Sequence, residues 1–97
     1  MALYITPKDP NEDLDYQVNW AERLDPGDTI QTSIWFLEWG PDANLDLTKY
    51  PDTNTDTTAN VWLSAGTLGK EYRVTNRIVT VNNRKMDQTV IVRIRRE

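Results

Sequence analysis

Two stretches of the chain have the spacing of a cation loop. Asp42, Asn44 and Asp46 form one Asp-x-Asn-x-Asp set, and Asp52, Asn54 and Asp56 form a second, ten residues further on. Alternating oxygens of this kind are the first three ligands of a calcium loop, which also needs Gly at its sixth position and Glu at its twelfth. Here the sixth positions are Leu47 and Thr57, and the twelfth are Thr53 and Leu63. Solvated loops rich in turn formers account for the same residues. The 15 carboxylates include no pair set apart for glycoside hydrolysis. The 97-residue chain has no His and no Cys. Ser-His-Asp and Cys-His catalysis, disulfides and the usual zinc and iron–sulfur sites are therefore excluded within it. The expectation is a non-enzymatic protein with no cofactor, no resident metal and no small-molecule substrate.

What remains is the chemistry of contact. Trp39, Tyr50 and Trp62 could stack on sugar rings or simply pack. Arg73, Arg77, Arg84, Lys85, Arg93, Arg95 and Arg96 crowd into the last third of the chain. Such a set could face phosphate, but the net charge is −4 and the arginines alternate with apolar residues as an outward strand face does, so no nucleic-acid partner is expected. Residues 1–60 hold 12 acids and 3 bases, and residues 61–97 hold 3 acids and 8 bases. Either neighbouring strands offset these charges locally, or the split serves head-to-tail association.

The elements that must position these groups are strands. Leu14, Tyr16, Val18 and Trp20 alternate with Asp15, Gln17 and Asn19, the period of a half-buried strand. Asp25-Pro26-Gly27-Asp28 predicts a turn. Residues 29–39 form a β-rich run of ambiguous parity: Ile30, Ile34 and Phe36 share one face and Trp35, Leu37 and Trp39 the other. A bulge or a covered second face resolves that conflict. Residues 40–58 read as a long loop, with a short strand possible around 45–48. Residues 60–64, 71–81 and 86–95 read as three more strands, the last two joined at Asn82-Asn83-Arg84-Lys85. Tyr72, Val74, Asn76 and Ile78 share a face, as do Val90, Val92 and Ile94. Tyr72, placed after Leu68 and Gly69 at the head of a strand, has the layout of a tyrosine corner. The fold expected is all-β: a single small antiparallel β-sandwich over residues 1–97, immunoglobulin-like or fibronectin-III-like. Residues 1–10 form an N-terminal arm that either reaches along a neighbour or supplies an edge strand. Trp20 and Trp35 are the core tryptophans.

The chain has no apolar run long enough to cross a membrane as a helix, and its start lacks the pattern of a signal peptide. No membrane partner is expected, and synthesis in a host cytoplasm is.

As an ordered set, several segments resemble a known family. They are Pro7-Lys8-Asp9-Pro10, Leu14-Asp15-Tyr16, Val18-Asn19-Trp20, Gly27-Asp28-Thr29-Ile30, Val61-Trp62-Leu63-Ser64, Tyr72-Arg73-Val74-Thr75-Asn76-Arg77-Ile78 and Arg84-Lys85-Met86-Asp87. The set is similar to small virion proteins of tailed bacteriophages and prophages, of the fiber–tail adaptor type. Residues 36–58 depart from it, being longer and more acidic. The resemblance implies a structural virion protein of the tail or neck, present as a repeated subunit in a homo-oligomeric ring. Its partners would be other virion proteins: a tail, neck or portal ring on one side and a tail fiber on the other. Interface candidates are Leu3, Tyr4 and Ile5 in the arm, Trp39 and Tyr50 around the long loop, and Arg93, Arg95 and Arg96 at the basic end. A stand-alone carbohydrate- or protein-binding module is the alternative.

Overall fold

The structure is a computed structural model that describes residues 4–96. Eight strands follow one another: β1 (Tyr4–Lys8), β2 (Leu14–Asn19), β3 (Ile30–Trp39), β4 (Leu45–Asp46), β5 (Thr53–Asn54), β6 (Thr58–Ala65), β7 (Glu71–Thr80) and β8 (Lys85–Ile94). They form two sheets. The first has the order β1-β8-β7-β3; in the second, β6 lies between β2 and β4 and also pairs with β5. The architecture is all-β, as the alternation predicts.

The antiparallel expectation needs one correction. β1 runs parallel to β8, with Tyr4 opposite Val90 and Lys8 opposite Ile94. Alternation and turn signals report hairpins, which are antiparallel. A parallel pair needs a long crossover instead, and here the whole domain between the first and last strands supplies it. Part of the 1–10 segment is thus an edge strand. The 40–58 segment is likewise not one loop, because β4 and β5 both pair with β6.

The mixed parity of β3 has a simple cause. The β3–β7 register shifts between Ile30 and Thr32 and again between Leu37 and Trp39. Each shift inserts a residue and reverses which face the side chains occupy. Ile30 is therefore buried, Trp35 and Leu37 pack against the core, and Ile34 and Trp39 are exposed.

The turns follow local chemistry. The Asp28 amide donates to the Asp25 carbonyl at 2.9 Å across Pro26 and Gly27. Gly27 has φ +82°, the third-position conformation that a Pro-Gly turn of this type requires. Between β7 and β8, Asn83 takes φ +67°, which Asn tolerates better than most residues.

Between the sheets lie two apolar clusters. One joins Leu45, Val61 and Leu63 to Tyr72, Val74, Val90, Val92 and Ile94. The other joins Val18, Trp20 and Ala59 to Ile30 and Ile78. Tyr16 and Trp35 touch both, meeting edge to face at 6.5 Å. Trp20, fully buried, donates its indole N–H to Asn76 Oδ1 at 2.9 Å, and the Asn76 amide donates to Ser33 Oγ and the Ile34 carbonyl. A polar side chain in the core is thereby satisfied, and it bonds the two sheets together.

Candidate interaction site

The expected tyrosine corner is present. Tyr72 is fully buried, and its hydroxyl accepts the Thr67 amide at 3.0 Å, five residues upstream. The same hydroxyl donates to Asp42 Oδ1. Thr67 Oγ1 donates to Asp42 Oδ2 at 2.9 Å, and the Asn44 amide donates to Asp42 Oδ1. Gly40 closes over the ring: a Cβ there would stand 2.9 Å from Tyr72 Cδ2. These bonds fasten the segment after β3 to the β6–β7 turn. They also depress the Asp42 carboxyl below the usual range, the Tyr72 hydroxyl being the largest cause and the Asn44 amide the next.

The carboxylates of the first calcium-like set are thus taken up by local hydrogen bonds. Both Asp42 oxygens are engaged, and Asp46 Oδ1 accepts from the Thr48 amide and hydroxyl. Among the described residues no three acidic side chains converge as a metal site would require.

The exposed large side chains lie elsewhere. The outer face of the first sheet carries Ile34 on β3 and, at the strand's far end, Trp39, which is 58% exposed. Trp39 lies opposite Arg73 of β7, and the two line a shallow groove of about 590 Å³ with Glu38 and Glu71. Most charges on this face are already engaged. Arg77 makes two bonds to Asp87, at 2.8 and 3.0 Å, and its guanidinium lies 5.1 Å from the Phe36 ring centre. Arg93 bonds Glu71 at 2.8 Å, and Thr75 donates to Glu38 at 2.6 Å. Arg73 is exposed and has no hydrogen-bond or ionic partner among the described residues.

On the outer face of the second sheet, Tyr50 stacks edge-on against Trp62 at 5.2 Å. Lys49 bonds Asp13 at 2.9 Å, and Asp13 also accepts from Ser64. Asp15 pairs with Trp62 across β2 and β6, and it too has no partner among the described residues. Beside it lies a groove of about 310 Å³, lined by Gln17, Asn60 and residues 53–55.

The candidates from the sequence are therefore not one cluster. Trp39 and Arg93 approach the same end of the first sheet, since Glu71, the partner of Arg93, lines the Trp39 groove. Tyr50, 41% exposed, belongs to the opposite face. Tyr4 and Ile5 pair through the backbone of β1 with Val90 and Ile91, and Leu3 lies outside the described residues. Arg95 and Arg96 follow β8 and are exposed, and the Arg95 amide donates to the Lys8 carbonyl at 2.8 Å. Residue typing alone missed the roles of Asp42 and Asp15. The first is spelled like a metal ligand, and the second is one acid of many until its cross-strand neighbour is known.

Residues 8–93 match the family model described as podophage GP4 fiber-tail adaptor protein gp77, and the chain belongs to that family. The family's role is structural, as an adaptor of the phage virion. Among curated proteins no match is found.

Proposed function

We propose that this protein is a non-enzymatic adaptor of the virion that joins a tail fiber to the tail or neck as a repeated subunit, arranged in a ring. The observation that carries this reading is the family match, which spans residues 8–93. Three features support it. His and Cys are absent from the chain, which removes the commonest catalytic bases and thiol nucleophiles. Apolar side chains as large as Ile34 and Trp39 are exposed on one sheet face, as contact surfaces are. The sandwich is immunoglobulin-like on this reading, supported by the β1-β8-β7-β3 order, the parallel β1–β8 edge and the Tyr72 corner.

Contacts to neighbouring virion proteins run through residues 3–5, Trp39, Tyr50, Arg93, Arg95 and Arg96. Neither nucleic acid nor a membrane is a partner on this reading, and synthesis takes place in the host cytoplasm. The test is electron cryomicroscopy of particles from the encoding phage, with mass spectrometry on the same sample. The expected result is several symmetric copies of the chain between tail and fiber. Particles that carry fibers and contain no copy would refute the proposal.

A further inference from the structure

The strands of the two sheets differ in charge sign, although each sheet takes strands from both halves of the chain. The strands of the second sheet carry only the acids Asp15 and Asp46, whereas those of the first carry Lys8, Arg73, Arg77, Lys85 and Arg93 against Glu38, Glu71 and Asp87. Three ion pairs join residues of the same half. Lys49–Asp13 lies within the acidic half, and Arg77–Asp87 and Arg93–Glu71 lie within the basic half. Arg84–Asp25 crosses between the halves. Among the described residues, each outer face has an unpartnered charge beside an aromatic side chain: Arg73 opposite Trp39 on the first sheet, and Asp15 opposite Trp62 on the second.

The two faces also differ in relief. Trp39 is the more exposed of the two aromatics and stands at the end of its strand. Beside Asp15 is the concave groove of about 310 Å³ whose lining includes Gln17 and Asn60. Their side-chain oxygens can accept an indole N–H, and the hydrophobic ring loses water on entry. Buried Trp and Arg anchors ringed by satisfied polar groups are the usual energetic centre of a protein interface. The Arg77–Asp87 and Arg93–Glu71 pairs supply such a rim on the first face.

From this complementarity of charge and shape we infer that the partner of the Trp39–Arg73 face is the Asp15 face of a second copy of this chain. Trp39 enters the groove beside Asp15, and Arg73 pairs with the Asp15 carboxylate. The contact joins two different surfaces, so it leaves a free Asp15 face at one end and a free Arg73 face at the other. Repetition of that contact builds a ring or a filament, whereas a contact between identical patches would stop at a dimer. The inference rests on the repeated-subunit reading and names the surfaces that reading needs.

Charge exchange tests it on the full-length protein by sedimentation at increasing concentration in low salt. The wild-type chain should associate, and the association should weaken as salt is added. Arg73→Glu alone and Asp15→Lys alone should each weaken association by roughly tenfold or more, the scale of a close charge pair made repulsive. The double variant should recover it. An equimolar mixture of the two single variants should recover it as well, because every contact in an alternating assembly is then either native or exchanged. Both side chains are exposed and unpartnered, so each variant should keep the wild-type melting temperature, and that measurement separates lost contact from lost folding. A wild-type chain that stays monomeric to about millimolar concentration, roughly the weakest affinity a specific contact shows, would overturn the inference. So would single variants that associate normally, or an exchange that recovers nothing. If particles nevertheless carry the chain between tail and fiber, the adaptor reading stands and these faces meet a different virion protein.

Discussion

Tyr72 shows how much one hydroxyl can organise. It accepts from the Thr67 amide and donates to Asp42, which in turn holds Asn44 and Thr67. Tyr72→Phe keeps the ring under Gly40 and removes both bonds. Thermal unfolding should show a loss of about 1–2 kcal/mol, the net worth of a buried hydrogen bond or two. The same group makes stability depend on pH. The Asp42 carboxyl titrates lower in the folded chain than in the unfolded one, chiefly because of Tyr72, and Asp87 does so chiefly because of Arg77. A carboxyl whose folded pKa is depressed contributes fully above its unfolded pKa. That contribution is lost as pH falls through the folded value. The melting temperature should therefore drop on acidification below about pH 4, near the unfolded carboxyl value. It should drop less steeply in Tyr72→Phe, where the largest cause of the Asp42 shift is gone.

At the scale of elements, two polar contacts hold strands together where an apolar core would be expected to do so alone. Trp20, which directly follows β2 of the second sheet, bonds Asn76 of β7. Asn76→Ala removes that acceptor and strands the buried indole N–H, so denaturant unfolding should show a loss of about 2–3 kcal/mol, with Trp20→Ala costing about 3–5 kcal/mol through its cavity. Lys8 is the second case. Its side chain is buried at the end of β1, and its ammonium donates to the Ala65 carbonyl at 2.7 Å and the Asp9 carbonyl at 2.9 Å. Burial pushes its pKa down, against the opposing pull of Asp13, Glu12 and Asp9. Lys8→Met keeps the stem and loses both bonds. Amide exchange of β1 should then quicken more than that of β7, which is paired on both sides.

For the whole molecule, salt should separate what holds the fold from the proposed contact between copies. The Lys49–Asp13, Arg77–Asp87, Arg84–Asp25 and Arg93–Glu71 pairs all have side chains between 32% and 65% exposed. Exposed pairs of this kind are worth about 0–1 kcal/mol each, so the melting temperature should move little between low salt and about 0.5 M salt, where the screening length is only a few ångströms. Association through the Arg73 and Asp15 faces should fall over the same range.

The sequence alone determined the fold class and most of the core. Alternation at Leu14–Tyr16–Val18–Trp20 and at Tyr72–Val74–Asn76–Ile78 is a local property of the strand, so it can be read without partners, and the corner at Tyr72 is likewise spelled within a few residues. The absence of His and Cys narrowed the chemistry equally directly. Tertiary structure decided what depends on pairing between distant segments. That β1 runs parallel to β8, that two bulges turn Ile34 and Trp39 outward, and that Asp42 serves Tyr72 follow from registers spanning dozens of residues. It also decided that Trp39 lies beside Arg73 and Asp15 beside Trp62, since cross-strand neighbours are fixed by register, which composition and spacing along one strand do not encode.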